Sequence, residues 1–370
     1  MTSKIPSVLA VMAVFLGSFT LPSAARADAG QAVPHTSAKD QGGVGFCWSY
    51  SLSAMIESEA MKQGKAVELS EEYVGFYSMY DTLEKNLPEI LKQAGDRPAR
   101  TIGEWIRHNW IIGLLLSPRE GAPNLAEPLE IIKKYGMLPQ GAYTFKISKD
   151  DPRLEKRVRK FVKSHLSVKS DVIAYQKNLP KLFADFSEAF GQAAPLPTDT
   201  FTVEGRTYNA TTYLRDYLNF NPDDYAEITV NRREQTQTLQ AVQRALNDHS
   251  AVELGFTVMG ENRKTAIASG HFEASSCPNS LCRTVAGGHA VLIINLETAA
   301  PGAKDPLQAL IIKNSWGTIG LDENGQPTAS ASRRGYFTIS PDYLDMPWAS
   351  SLVKTTSRGV WSVLLNKKYL

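Results

Sequence analysis

The sequence has few cysteines and histidines and almost no excess charge. Its 370 residues include three cysteines and six histidines, and 40 Lys plus Arg stand against 38 Asp plus Glu. Neither sign forms a long run, so the charge pattern gives no footprint for nucleic acid, and we expect no nucleic-acid partner. The length is sufficient for one large domain or two modest ones with a buried core.

Long apolar runs are also scarce, and the one that stands out lies at the start of the chain. Lys4 is followed by an apolar stretch from Ile5 to about Leu21 and by a small-x-small site at 25–27, the order of a secretory signal peptide. The alternative, a retained membrane anchor, would need about 20 apolar residues. We therefore expect residues 1–27 to be removed on export to the periplasm or the exterior, with no membrane contact afterwards.

Three cysteines are an odd number for an exported chain. Cys277 and Cys282 enclose a turn-forming Pro-Asn pair, so we expect a local disulfide between them that leaves Cys47 as the free thiol. A zinc site built from these two cysteines with His271 and His289 is the alternative. Its spacing matches no common structural zinc site, and we expect no metal.

The two halves of the chain differ in hydrophobic period. The first half predicts helices, one after Cys47 that ends near Gly64, one capped by Ser70 and one over Leu125–Tyr135. In the second half, apolar residues alternate from Val252 to Val258 as in a half-buried strand, and AVLIINL, ALIIKNS and GYFTIS predict further strands. We expect an α+β protein with a cleft between two lobes.

The predicted organisation has four parts. Residues 1–27 form the signal peptide and residues 28–149 the helical lobe. Residues 150–235, which begin with a strongly basic run, form an insertion that could cover the cleft. Residues 236–370 form the β-rich lobe. A basic run of this kind is typical of a solvated helix face.

Cys47 precedes the first apolar helix, and two residues far along the chain could act with it. A thiol at a helix N-terminus gains thiolate character from the helix dipole, although a free cysteine before an apolar helix can also be buried and inert. A thiolate nucleophile needs a base and an orienting group. His289 in GGHAV and Asn314 in KNSWG each adjoin an apolar strand, where a structural histidine and a turn asparagine are the alternatives.

Together DQGGVGFCW, GGHAV and KNSWG, in this order, resemble the papain-like cysteine peptidases. The resemblance implies a two-lobe fold with a helical N-terminal lobe, a β-barrel-like C-terminal lobe and the active site between them. It also implies roles for individual residues. Cys47 would be the nucleophile, His289 the acid and base, Asn314 the orienting residue, Gln41 part of the oxyanion hole, Trp316 a cover, and Gly121, Ala122, Gly288 and Ala290 the substrate cleft.

Within this family, the long segment between Cys47 and His289 is most similar to the bleomycin hydrolase and aminopeptidase C branch. That branch uses a C-terminal arm in the cleft, and the sequence leaves open whether Leu370 reaches it. Three positions depart from the family pattern. Val44 stands where a disulfide cysteine is usual, Phe46 replaces a small residue and suggests a crowded cleft floor, and Pro123 follows the pair that matches the family's Gly-Gly.

The resemblance implies an exported cysteine peptidase that hydrolyses peptide bonds through a thioester on Cys47, with peptides or proteins as substrates and no cofactor. An aminopeptidase of the bleomycin hydrolase kind, an acyl transferase on the same three residues and a catalytically inactive binding homologue are the alternatives. The sequence does not indicate the oligomeric state.

Overall fold

The computed structural model describes residues 33–41, 45–96, 109–113, 115, 124–144, 153–230, 235–259, 266–267, 269–274, 285–298, 307–317, 335–344, 346, 348–349, 356–357 and 361–370. Three groups of predictions lie outside these residues. They are the signal peptide at 1–27, the cleft residues Gly121 and Ala122, and the cysteines Cys277 and Cys282.

The main helices lie in the first two thirds of the chain. Their bounds are α1 Cys47–Lys62, α2 Glu71–Gln93, α3 Ala126–Tyr135, α4 Arg153–His165, α5 Lys169–Lys177, α6 Leu179–Glu188 and α7 Gln235–Asn247. The Ser70 hydroxyl accepts the Tyr73 N–H at 3.3 Å and caps α2 as predicted, and Gly136 follows α3 with a φ of 76°. Within the described part of the chain, no helix has the length and apolar character needed to cross a bilayer.

Aromatic packing joins α2 to the middle segment of the chain. The Phe76 ring on α2 is fully buried, with centroids 5.5 Å from Phe186 and 5.3 Å from Phe190. Spacings of this kind are favourable for edge-on and tilted ring pairs. Helices α5 and α6, in the predicted 150–235 insertion, both pack against α2.

Seven strands form one sheet. The bounds are β3 Tyr225–Val230, β4 Val252–Met259, β5 His271–Phe272, β6 Val285–Thr298, β7 Leu307–Lys313, β8 Tyr336–Ile339 and β11 Trp361–Asn366. Their order in the sheet is β3-β11-β4-β6-β7-β8-β5. Neighbours pair antiparallel except β5 and β8, which are parallel. Two small pairs stand apart from this sheet, β1 Phe201–Val203 with β2 Arg206–Tyr208, and β9 Trp348–Ala349 with β10 Thr356–Ser357. Because β3 joins the main sheet, that sheet begins before residue 236, where the sequence set the boundary.

The prediction of a half-buried strand at Val252–Val258 is wrong, because every residue of β4 is buried. Helices α1 and α7 both pack against this strand. Alternating polarity predicts a solvent-facing side only when one face of the sheet is open. The polar residues Glu253 and Thr257 are therefore interior groups, and Glu253 has no exposed surface.

The segment before α1 is attached to the sheet. The Val33 N–H donates to the Ile294 carbonyl at 3.0 Å, and the Gln41 N–H donates to the Ser315 carbonyl at 2.8 Å. Next to the Gln41–Ser315 hydrogen bond, Asp40 and Trp316 form an antiparallel bridge. Residues 33–41 thus join the strand lobe, whereas Cys47 begins the first helix of the helical lobe.

Candidate active site

Cys47 is the first residue of α1, as the sequence predicts, and its thiol is free and buried. Phe46 precedes it as the N-cap residue and is 5% exposed. Its ring lies directly over Gly75 of α2, where a Cβ would be only 2.7 Å from Phe46 Cε2. The bulky residue before the cysteine is therefore accommodated inside the helical lobe by a glycine.

Burial dominates the electrostatics of the thiol. It raises the pKa of Cys47 to about 11, against the effect of the Ala290 and Trp48 backbone N–H groups, which lower it by hydrogen bonding to the sulfur. A buried thiol of this kind is neutral near pH 7 and needs an adjacent base to become a nucleophile. Ala290 directly follows His289 on β6, the strand against which α1 packs.

His289 and Asn314, which are 25 residues apart, are joined by a hydrogen bond. His289 Nε2 lies 2.8 Å from Asn314 Oδ1, and both residues are buried. An amide oxygen can only accept, so Nε2 carries the proton in this bond, and Nδ1 of the neutral ring is the nitrogen able to take up another. The Asn314 oxygen also accepts the Ser315 N–H at 2.7 Å, and the Asn314 N–H donates to Gly335.

Trp316 covers the imidazole of His289. The two rings are stacked, with centroids 4.5 Å apart and planes inclined by 24°. Phe272 and Phe337 contact the indole from behind, and Phe256, which pairs with His289 across β4 and β6, contacts the imidazole edge-on at 5.8 Å. These rings exclude water from one side of the bond between His289 and Asn314, which strengthens it.

Gln41 is positioned by the chain that follows Asn314. Its main chain is bonded to Ser315, and the Ser315 hydroxyl donates to Gln41 Oε1 at 2.5 Å. Because the carboxamide oxygen is held by Ser315, the NH₂ group with its two N–H donors is directed to the other side of the amide. The antiparallel contact between residues 39–41 and 315–317 therefore holds Gln41 beside the chain that links Asn314 to Trp316.

A buried cluster of charges lies behind these residues, and the sequence reasoning did not find it. Lys39 Nζ bonds Glu57 Oε1 at 2.8 Å and Glu71 Oε1 at 2.6 Å. Lys313 Nζ donates to Thr36 at 2.7 Å and lies 4.0 Å from Glu57. Burial lowers the pKa of Lys313 to about 8, with Glu57 opposing that change. Two features of the sequence could have indicated this cluster: Glu57 lies on the apolar face of α1, and Lys313 directly precedes Asn314.

Of the remaining predicted site residues, two lie beside His289 and the others lie outside the described residues or apart from the site. Gly288 and Ala290 flank His289 on β6, opposite Thr257 and Gly255 of β4. The region of Gly121 and Ala122 and the disulfide expected between Cys277 and Cys282 lie outside the described residues. His271 is bonded to Thr338 through Nδ1, and the described residues contain no group of three metal-ligating side chains.

The C-terminus is held at the other end of the sheet from His289. In β11, Ser362 pairs with Gly255 and Leu364 with Glu253, so the strand runs away from the His289–Phe256 pair. Beyond it, the Tyr369 carbonyl accepts from Arg244 Nη2 at 2.6 Å, and the Tyr369 hydroxyl lies 2.8 Å from Ser250 Oγ. Leu370 is 59% exposed there, and it does not reach the cleft.

Comparison with models of known protein families finds no match, and no characterised protein sequence matches either. Among solved structures, the chain is similar to PepW from Lactobacillus rhamnosis HN001, at 15% identity over 92% of this chain and 82% of that one, with a TM-score of 0.60. Xylellain, a cysteine protease from Xylella fastidiosa, matches at 14% identity over 89% and 82% of the two chains with a TM-score of 0.37.

The bromelain protease from Ananas comosus matches at 16% identity over 90% of this chain and 93% of that one, with a TM-score of 0.39. At such identities a likeness concerns the fold, and for PepW it extends over most of both chains. Together with the helical N-terminal part and the sheet-rich C-terminal part, it confirms the predicted fold class. The chain has a papain-like α+β fold of two lobes.

Proposed function

We propose that the protein is a cysteine peptidase that hydrolyses peptide bonds with Cys47, His289 and Asn314. One observation carries the proposal. Two residues 25 positions apart, His289 and Asn314, form a buried hydrogen bond under Trp316, next to the Ala290 amide that faces a free cysteine at the start of a helix. A turn asparagine or a structural histidine does not require this arrangement. A thiol nucleophile requires an adjacent base and a group that orients the base, which are the roles of His289 and Asn314 here.

The chemistry follows from the tautomer of the ring. His289 Nδ1 takes the proton of the Cys47 thiol, and the thiolate attacks the carbonyl carbon of the substrate. The oxyanion is stabilised by the carboxamide N–H of Gln41 and the backbone N–H of Cys47. The carbon–nitrogen bond then breaks, and His289 protonates the departing amine.

The second half of the reaction restores the enzyme. His289 takes a proton from water, the hydroxide adds to the thioester carbonyl, the carbon–sulfur bond breaks to release the acid product, and His289 returns its proton to the Cys47 sulfur. Asn314 keeps the ring in one orientation through both halves, because its oxygen holds Nε2–H. No step requires a metal or an organic cofactor.

The C-terminus bears on which end of a substrate is recognised. Since Leu370 lies at the end of the sheet away from His289 and Tyr369 is bonded to Arg244, residues 361–370 do not act as an arm that measures the amino end of a peptide. This favours cleavage inside chains over an aminopeptidase of the bleomycin hydrolase kind. We also propose, from residues 1–27, that the protein acts after export, which N-terminal sequencing of the protein from a periplasmic fraction would test.

The test is digestion of a peptide library with free and blocked amino termini, followed by mass spectrometry beside Cys47→Ala. The proposal predicts internal cleavage of blocked peptides, absent from the variant. Loss of residues from free amino ends alone would support the aminopeptidase, and products joined to an added amine would support the acyl transferase. Equal, negligible turnover by both proteins would contradict the proposal and support an inactive binding homologue.

A further inference from the structure

A buried carboxyl group lies one helical turn behind Cys47. Cys47 and Ser51 are four residues apart on α1, so their side chains share a face of the helix, with Cβ atoms about 5–6 Å apart. The Ser51 hydroxyl donates a hydrogen bond to Glu253 Oε1 on β4. This contact crosses from the helical lobe to the strand lobe directly beneath the candidate nucleophile, and nothing in the reaction described above uses it.

The carboxyl group of Glu253 is incompletely satisfied. It has no exposed surface, and its second oxygen, Oε2, has no hydrogen-bond partner among the described residues. An unpaired carboxylate is strongly disfavoured in such a site, so the neutral form persists to unusually high pH. Burial raises the pKa of Glu253 to about 8, with Glu227 adding to the rise and the Ser51 hydrogen bond opposing it.

Among the residues that the structure describes, no cation lies next to Glu253. Its cross-strand neighbours are Leu292 on β6 and Leu364 on β11. The residues of α7 that face inward are Thr238, Ala241, Val242, Ala245 and Leu246. Of the described ionisable groups, three face Glu253 or share its row of the sheet: Cys47 on α1, Glu227 on β3 beyond Leu364, and Lys313 on β7 beyond Leu292. On β6, His289 lies three residues before Leu292.

We propose that Glu253 is a positioning residue that sets the charge near Cys47: it leaves the thiolate unopposed while Glu253 is neutral and opposes it once Glu253 is ionised. The inference rests on the proposed function of Cys47. An ionised Glu253 is a like charge for the thiolate, and Coulomb repulsion between the two raises the energy of the reactive form. Activity should therefore fall at alkaline pH for a reason that lies outside His289.

The first test compares Glu253→Gln with wild type across pH 5 to 9. Glutamine keeps the shape of the side chain and an acceptor for Ser51 but cannot ionise. We expect the ratio of kcat/KM, variant over wild type, to be constant up to about pH 7 and to rise about threefold or more by pH 9, the effect of moving a neighbouring pKa by half a unit. A packing role alone would change kcat/KM equally at every pH, so a flat ratio overturns the inference.

A second variant covers the case in which Glu253→Gln does not fold. Ser51→Ala removes the donor that favours the ionised carboxylate, so Glu253 stays neutral to higher pH and the ratio should again rise above pH 7. The matched control is Glu227→Gln, the same chemical change two strands away. It should give no rise, and a rise equal to that of Glu253→Gln would contradict a local effect of Glu253.

Alkylation by iodoacetamide separates this inference from the proposed function. The rate at Cys47, with Cys47→Ala subtracted to remove Cys277 and Cys282, reports thiolate without any need for turnover. If wild type cleaves no more peptide than Cys47→Ala, the proposed function fails, and the alkylation ratio of Glu253→Gln to wild type still decides the inference. If Cys47→Ala alone is inactive and both ratios stay flat with pH, only the role of Glu253 is overturned.

Discussion

Gly75 allows Phe46 to precede the nucleophile, and replacing it with alanine tests how tightly the two are packed. The new Cβ would lie 2.7 Å from Phe46 Cε2 and 2.8 Å from Phe46 Cδ2. Both distances are well below the optimal separation of two carbon atoms, which is about 3.5–4.0 Å. The ring must move by about 1 Å, and at 5% exposure it has little room. Overpacking of this kind costs about 1–3 kcal/mol.

Helix propensity acts in the opposite direction, since alanine inside a helix is favoured over glycine by about 1 kcal/mol. The net loss for Gly75→Ala should therefore be up to about 2 kcal/mol in urea unfolding. In a Phe46→Ala background the clash disappears, and the same substitution should stabilise the protein by about 1 kcal/mol. The sign of the effect thus depends on residue 46. An equal effect in both backgrounds would refute the packing argument.

Three further predictions concern charge, orientation and the C-terminus. Because the pKa of Glu253 is higher in the folded than in the unfolded chain, the free energy of unfolding of wild type falls as pH rises from about 4.5 to about 8. Between pH 5 and 8.5, Glu253→Gln should therefore become more stable relative to wild type by on the order of 4 kcal/mol in urea unfolding. The same change of stability with pH in both proteins would contradict this. Asn314→Ala removes the acceptor of His289 Nε2 and should lower kcat/KM about 10- to 150-fold, and an unchanged value would contradict the orienting role. Deleting residues 367–370 removes the Tyr369 contacts and should lower the free energy of unfolding by about 1–3 kcal/mol. The ratio of cleavage of blocked to free peptides should stay constant, and a changed ratio would show that the C-terminal residues help to select the end of the substrate.

Local signals predicted much of the helical half. Ser70 caps α2 and Gly136 ends α3 because capping and positive φ depend on a few neighbouring residues, which the sequence displays directly. The start of α1 near Cys47 was predicted from the helical period of the apolar residues that follow it. The resemblance also carried the fold class, which depends on motifs spread along the chain.

What the sequence did not predict depends on contacts between distant segments. The polar side of β4 is buried because α1 lies against it, and alternation alone cannot reveal a covering helix. For the same reason Glu253 looked like a solvent-facing residue. Phe46 looked out of place until Gly75, 29 residues later, supplied the space for its ring. Lys39 and Lys313 are 274 residues apart and meet Glu57 only in the fold.

The measurement that tests the central claim most directly is acid quenching of wild type during turnover of a peptide ester, followed by peptide mapping with mass spectrometry. We predict the acyl mass on the peptide that contains Cys47, and its loss in His289→Ala at pH 7. An acyl group on any other residue, or turnover with no acyl group on Cys47, would contradict the assignment of Cys47 as the nucleophile.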